Sequence, residues 1–291
     1  MNRLPIVLFF AILGFFPLTA QEFSAGFRAG INFASISGPS EMSSTGSELE
    51  DYKFSNGFHV GATVNYFFND YFGLRAELLY SQKGGDYNYN GESFWILYTE
   101  DDNPLYLTGS RNTSLSITNS YIDIPLMAVG RYGRVELSGG LNLGILVSSR
   151  GSGELVFSGQ TASGTSVDPF TIALEFNYFD DTFRRTDINE VDIRDIDGQT
   201  VEIPRTLGAN FQELEGDQKL FNTLDLGLIG GLAFFLNQGL YVGMRVNYGL
   251  SDLTKTESDP SRRTLDEDNN LIFRDDKDRN LTLQASVGFS F

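Results

Sequence analysis

Long stretches of alternating apolar and polar residues restrict the fold of this chain more than any other feature. From Phe23 to Phe33 every odd position is apolar and every even position is small, polar or charged. The chain ends with the same pattern from Leu281 to Phe291. A helix would place its apolar residues three and four positions apart, so a period of two predicts strands with one apolar face.

Six further stretches alternate in the same way, at residues 58–68, 72–80, 122–128, 135–147, 224–236 and 240–250. We estimate about 10 to 14 residues for each strand, whereas strands of soluble domains mostly have about 5 or 6. A tilted strand that crosses a bilayer needs about 9 to 11 residues. Strand length therefore favours a membrane-spanning barrel over a soluble β-sandwich.

The connections between these strands alternate between short and long. Three are tight turns, at residues 69–71, 132–134 and 237–238, and the others are long loops, at about 36–56, 84–120, 150–222 and 251–280. Short turns at one end and long loops at the other, with an even strand number, are typical of outer-membrane barrels. Aromatic residues gather near both strand ends, as expected at two membrane interfaces, with Tyr121 among those at the long-loop end. We predict an all-β protein whose residues 21–291 form an eight-stranded antiparallel up-and-down transmembrane β-barrel.

The first residues and the composition predict the location of the protein. Residues 1–20 have a basic start followed by an apolar run of about 15 residues, which is short for a spanning helix of about 20 and is typical of a cleaved signal peptide. The net charge of −17 argues against nucleic acid as a partner, and the lack of cysteine excludes disulfides and thiolate metal sites. We predict a monomer in the cell outer membrane, with lipid as its main partner.

Several segments resemble a known family. These are GFRAGINFASIS near the start, AELLYSQKGG at 76–85, YIDIPLMA at 121–128, YVGMRVNYGLSDL at 241–253 and the closing VGFSF. Together they are similar to the PorT-like outer-membrane β-barrels of Bacteroidota. The resemblance implies an eight-stranded barrel whose terminal Phe289 and Phe291 are read by the barrel-assembly machinery. One family member is associated with the type IX secretion system, whereas most members carry no assigned role.

The polar residues between the apolar ones are predicted to face the barrel interior. An eight-stranded barrel is just wide enough to be filled by its own side chains, and a lone buried ion is costly. We therefore predict one ionic network with Arg28, Glu77 and Arg245 at mid-height. Four further residues are predicted to extend this network upwards and downwards: Arg75, Asp123, Glu136 and Asp225. A selectivity filter in an open pore is the alternative interpretation.

The sequence carries little that indicates catalysis or metal binding. His59 is the one histidine, and no GxSxG motif is present to supply a nucleophile beside it. The acidic stretches at 266–270 and 275–280 lack the spacing of an EF-hand loop, so we predict no metal and no cofactor, with weak Ca²⁺ binding as an alternative. We predict a non-enzymatic structural or interaction role, as an accessory to a secretion or envelope complex. A narrow porin and an enzyme acting on lipid or peptide are the alternatives.

The long loops hold most of the negative charge. Residues 150–222 contain 14 acidic and 6 basic residues, and residues 251–280 contain 9 and 6. Strand-like segments occur at Phe170–Phe176, beside Asp197-Gly198 and on both sides of residues 101–103. We therefore expect partly ordered extensions above the membrane, and leave open whether residues 150–222 add strands to the barrel.

Overall fold

The computed structural model describes residues 23–178, 190–209, 220–255, 260–274 and 276–291. The predicted signal peptide at residues 1–20 lies outside them. Within the described residues, no helix is long and apolar enough to cross a membrane. The regular elements there are fifteen strands: β1 (Phe23–Ser37), β2 (Glu50–Lys53), β3 (Ser55–Phe67), β4 (Phe72–Thr99), β5 (Pro104–Tyr132), β6 (Val135–Thr161), β7 (Ser166–Asn177), β8 (Val191–Ile196), β9 (Gln199–Pro204), β10 (Thr206–Leu207), β11 (Leu224–Phe235), β12 (Leu240–Gly249), β13 (Pro260–Leu265), β14 (Leu271–Phe273) and β15 (Arg279–Ser290).

Eight of these strands form a closed ring in the order β1, β3, β4, β5, β6, β11, β12 and β15. Each strand of the ring pairs antiparallel with both neighbours. Pairing of β1 with β15, from Gly26 opposite Ser290 to Ser37 opposite Arg279, closes the ring. The ring therefore leaves no unpaired strand edge towards the membrane, where backbone groups find no water.

The short turns of the ring are built by residues that suit tight turns. The side-chain oxygen of Asn69 accepts hydrogen bonds from the backbone N–H groups of Tyr71 and Phe72, both at 2.9 Å. Asn237 does the same for Gly239 and Leu240. Gly133, between β5 and β6, has a φ of 60°, which a residue with a side chain rarely adopts. These local signals are why the sequence marks the short-turn end clearly.

The outer face of the ring is an apolar belt. Leu126, Leu141 and Met244 point outwards and are each at least 59% exposed, because hydrocarbon and not protein surrounds them. Aromatic rings pack together at both edges of the belt. Tyr71 lies 5.8 Å from Tyr132 at the short-turn end, and Phe58 lies 5.6 Å from Tyr80 at the long-loop end. The belt has the apolar surface and the aromatic edges of a transmembrane barrel.

The ring holds the eight strands that the sequence predicts, but the sheet as a whole has thirteen, and β10 pairs parallel with β7. Strands β4, β5 and β6 have 28, 29 and 27 residues, twice the predicted length. The prediction of loops at 84–120 and at the start of 150–222 is therefore corrected, because these residues continue the strands. We call residues 84–120 and 148–161, together with β7 to β10, the outer extension.

In the outer extension the apolar side chains face inwards and the polar ones face outwards, which is the reverse of the membrane-spanning ring. On β5 the apolar Leu107, Leu115 and Ile117 face inwards, together with Arg111 and Thr113, and the even-numbered residues from 108 to 118 face water. The inward side chains meet those of β7 to β10 in an apolar outer core: Trp95, Leu97, Leu107, Phe157, Phe170, Ile172, Val201, Ile203 and Leu207. Ile36 on β1 joins this core, as do Leu220 and Phe221, which precede β11, and Leu253, which follows β12. The outer core therefore lies across the long-loop opening.

A β-bulge lies at the boundary between the membrane-spanning ring, whose apolar residues face outwards, and the outer extension, whose apolar residues face inwards. Ser120 pairs with Ser148 and Tyr121 pairs with Leu146, so Val147 is an extra residue on β6. Above the bulge, the opposite set of β6 residues faces inwards. Tyr121 was predicted at the outer aromatic edge, which is wrong, because it is fully buried inside the ring.

Candidate functional site

The lower half of the barrel lumen holds an ionic cluster centred on Glu77. Arg245 donates two parallel hydrogen bonds to this carboxylate, at 2.6 and 2.7 Å. Arg28 Nη1 lies 3.7 Å from it, and Arg75 Nε lies 4.0 Å from it. All four side chains are at most 6% exposed. A planar guanidinium on a carboxylate is the strongest geometry for a buried ion pair.

Arg75 connects Glu77 to a second carboxylate nearer the short-turn end. Its Nη1 lies 2.7 Å from Glu136, and Glu136 also lies 2.8 Å from Arg131. The Arg131 guanidinium lies over the rings of Phe67 and Phe235, at 4.8 and 4.2 Å from their centroids. We call these six charged residues (Arg28, Arg75, Glu77, Arg131, Glu136 and Arg245) the lower cluster.

Asp123 and Asp225 do not belong to the same network as Glu77. They share one cation, Lys83, whose ammonium lies 2.9 Å from Asp123 and 3.2 Å from Asp225. Asn142 donates a hydrogen bond to Asp123, and Asn280 donates one to Asp225. These residues form an upper cluster beneath the outer core. The predicted single network is therefore corrected to two clusters, and no ion pair among the described residues joins them.

A layer of uncharged polar residues separates the two clusters. His59 Nδ1 lies 2.7 Å from the side-chain oxygen of Asn32, which also accepts a hydrogen bond from Gln284. The Asn32 amide donates to Ser81 at 3.1 Å. His59 is 1% exposed, and Asn32 and Ser81 are fully buried. His59 thus lies in a part of the lumen that is filled by uncharged side chains hydrogen-bonded to one another.

Lys83 is missing from the predicted interior network, although the sequence contains a signal for it. Arg75, Glu77, Leu79, Ser81 and Lys83 alternate along β4, and all face inwards. Because the alternation was followed only to Tyr80, Lys83 was not included among the predicted interior residues. Continuing the alternation by two residues would have found it.

The chain terminus lies at the short-turn end. Phe289 packs against Phe27 and Phe291, with centroids 6.3 and 5.3 Å apart. The backbone N–H of Phe291 donates to the Ala25 carbonyl at 2.8 Å. The terminal aromatic residues therefore seal the seam between β15 and β1, and their role as an assembly signal stays a prediction.

A third polar group, the loop clasp, ties the outer segments together. Arg274 bonds to Glu50 at 2.6 Å, to Asp276, and to the Pro39 carbonyl at 2.7 Å. Asp278 lies beside this group, and its carbonyl accepts a hydrogen bond from the Leu253 N–H at 2.9 Å. The pKa of the Asp278 carboxyl is raised to about 7, chiefly by burial and also by the nearby carboxylates of Asp276, Glu50 and Asp252, whereas Arg274 lowers it.

The acidic residues do not converge on a metal site where the structure can be described. Within those residues, no group of three or more His, Asp or Glu side chains has the geometry to hold a metal ion. The predicted acidic stretch at 266–270 forms a turn in which Asp266 accepts hydrogen bonds from the backbone of Asp268 and Asn270, at 2.9 and 2.7 Å.

A closed β-ring with an apolar outside and a charged inside defines an integral outer-membrane β-barrel protein. The chain belongs to the family of the outer membrane protein β-barrel domain, whose model matches residues 19–255. The protein is located in the outer membrane.

Solved structures similar to this chain are outer-membrane proteins of low sequence identity. Ail, the attachment invasion locus protein of Yersinia pestis, is 12% identical, with 93% of this chain and 100% of that chain covered and a TM-score of 0.35. OprG of Pseudomonas aeruginosa is 12% identical, with coverages of 93% and 96% and a TM-score of 0.35. The outer membrane protease OmpT of Escherichia coli is 10% identical, with coverages of 96% and 99% and a TM-score of 0.32. The search of curated proteins finds no significant match.

We expect the two lumen clusters to be energetically independent. Glu77→Gln should destabilise the barrel by about 3–5 kcal/mol, because it leaves buried arginines without their carboxylate. In a double-mutant cycle with Arg245→Met, the two changes should couple by about 0.5–3 kcal/mol. The same cycle with Lys83→Met should be additive within about 0.5 kcal/mol. Unfolding in urea from lipid vesicles measures all three, and additivity of Glu77 with Arg245 would contradict the pairing.

The loop clasp should loosen as the pH rises through about 7. The folded-state pKa of Asp278 lies above its ordinary value of 3.8, so its contribution to stability is complete below about 4 and is lost as the carboxyl ionises. Asp278→Asn mimics the neutral form at every pH. Hydrogen exchange at Leu253 should be at least about tenfold slower in this variant than in wild type at pH 8, and equal at pH 4.

Comparison of both proteins at one pH cancels the intrinsic exchange rate at Leu253. Asp101→Asn, at the exposed turn between β4 and β5, is the matched control and should leave exchange at Leu253 unchanged. Equal exchange in wild type and Asp278→Asn at pH 8 would rule out the pH dependence.

Proposed function

We propose that this outer-membrane barrel is non-conducting and non-enzymatic, and that its outer extension binds another component of the envelope, such as a secretion complex. The observation that carries the proposal is the occupied interior. Two ionic clusters and the neutral layer around His59 fill the lumen, and the outer core lies across its long-loop opening. An eight-stranded barrel has no room for a wide channel beside its own side chains. The binding role therefore falls to the outer surface.

The outer extension offers a surface suited to a protein partner. On the water-facing side of β5 the exposed side chains are uncharged: Thr108, Ser110, Asn112, Ser114, Ser116 and Thr118. Next to this row lies an open cleft of about 510 Å³. Arg150 and Phe176 line the cleft, together with Glu175 and Asn177. Arginine and aromatic side chains are enriched at the centres of protein interfaces, so the cleft is the best candidate for the contact.

The non-enzymatic assignment is supported by the position of His59. It is buried inside the membrane-spanning ring and is bonded to Asn32, so its ring is not exposed to lipid or peptide substrates. A catalytic histidine would need a nucleophile beside it and access for the substrate.

We further propose that the chain belongs to the PorT-like branch found in Bacteroidota. The segments that carry the resemblance also carry the lumen clusters. AELLYSQKGG contains Glu77 and Lys83, and YIDIPLMA contains Tyr121 and Asp123. In this proposal the ring is an up-and-down barrel, and the barrel-assembly machinery recognises Phe289 and Phe291 during insertion.

The non-conducting assignment predicts an electrically silent protein. Purified barrel inserted into planar bilayers should give no steady conductance, whereas a porin inserted in parallel should give open-channel steps. Insertion is verified independently by protection of the ring from protease. Stable, ohmic steps from inserted protein would overturn the assignment in favour of a narrow porin.

The binding role predicts a position-dependent crosslink in native membranes. A photo-crosslinking residue in place of Ser152, in the cleft, should capture a specific envelope protein. The same residue in place of Thr45, exposed on a different outer loop, is the matched control and should capture far less. Arg150→Glu should lower the yield at position 152. Equal or absent adducts at both positions in well-inserted protein would contradict the cleft as the binding surface.

A further inference from the structure

The lower cluster carries more positive than negative charge. Arg28, Arg75, Arg131 and Arg245 face only Glu77 and Glu136, so among the described residues the cluster has an excess of two positive charges. Five of the six side chains are almost completely buried, and Arg131 is about one quarter exposed. A buried cation without a counter-charge is costly, so this arrangement favours an additional anion.

At the short-turn end of the lumen, buried aromatic rings limit the access of water that would screen the excess positive charge. Phe235 and Tyr241 are 5% and 3% exposed and pack at a centroid distance of 5.2 Å. The Arg131 guanidinium lies over the Phe235 ring, 4.2 Å from its centroid. Aromatic side chains therefore close the lumen directly below the arginines.

Two buried hydrogen-bond donors next to the arginines have no partner among the described residues. They are Arg28 Nε and the Tyr241 hydroxyl. The register brings them together, because Gly288 on β15 pairs with Arg28 on one side and with Tyr241 on the other. A Cβ at Gly288 would overlap the Tyr241 ring and hydroxyl, so the ring lies across the glycine between the two neighbouring strands. The absence of a side chain at position 288 is what allows this placement.

We propose that a small inorganic anion, chloride, binds in the lower half of the lumen between Arg28 Nε and the Tyr241 hydroxyl. It neutralises part of the excess charge and accepts a hydrogen bond from each of the two free donors. A monoatomic anion fits better than phosphate, because Tyr241 crowds the wall at Gly288 and Ser286 already occupies Arg28 Nη2. The anion completes the packing of the barrel and takes no part in the binding role of the outer extension.

The proposal is tested by comparing chloride with gluconate on the purified full-length barrel in uncharged detergent. At equal ionic strength, the thermal midpoint should rise with chloride by on the order of 5 °C and then saturate. Gluconate is too large for the site and should give no saturable rise. Crystals soaked in bromide should show one anomalous peak between Arg28 and Tyr241.

Variants distinguish this site from a general salt effect. Tyr241→Phe removes one donor, so the chloride concentration for half of the rise should increase about tenfold. Tyr121→Phe, at the buried tyrosine whose ring centroid lies 4.5 Å from the Lys83 ammonium, is the matched control and should keep the wild-type dependence. If Tyr241→Phe does not fold, Arg28→Lys, which lacks Nε, provides the same comparison. Equal midpoints in chloride and gluconate, an unchanged dependence in these variants, or a bromide peak elsewhere would overturn the proposal.

Discussion

The structure depends on the inability of hydrocarbon to solvate polar groups. Every backbone amide and carbonyl in the bilayer must be bonded within the protein, and a closed ring of strands achieves this without an edge. The seam between β1 and β15 is therefore as essential as any side-chain contact. The same constraint moves all charge to the inside, where Glu77 and Lys83 each sit among partners of opposite sign.

Outside the membrane water surrounds the strands, so apolar side chains must be buried and polar ones can be exposed. Strands β5 and β6 continue into this region and follow that rule. Above the bulge at Ser120 and Tyr121, β5 and β6 turn apolar residues inwards and polar residues outwards. The outer extension is thus a water-facing sheet with its own apolar core, built on a membrane barrel without a break in the hydrogen-bonded ladder. This continuity closes the long-loop opening and leaves the surface of the extension available for a partner.

Much of the barrel could be predicted from sequence because its signals are local. The alternation from Phe23 to Phe33 and the turns at Asn69 and Asn237 each depend on a few neighbouring residues. The outer extension was predicted less well, since the template of outward apolar residues fails where water replaces lipid. Tyr121 was assigned to the wrong face because it was grouped with the outer aromatic edge, although the alternation along β5 places it on the inward face with Asp123.

The sequence by itself determined that this chain forms a membrane barrel, since alternation, strand length and turn chemistry all act over short distances along the chain. Only the tertiary structure decided which charges meet. Arg28, Glu77 and Arg245 come from strands far apart in sequence, and their height in the lumen depends on the stagger of the whole ring. The separation of Lys83 with Asp123 and Asp225 from the lower cluster is likewise a property of the closed barrel, because pairing across a lumen is settled by distance in space and not by spacing along the chain.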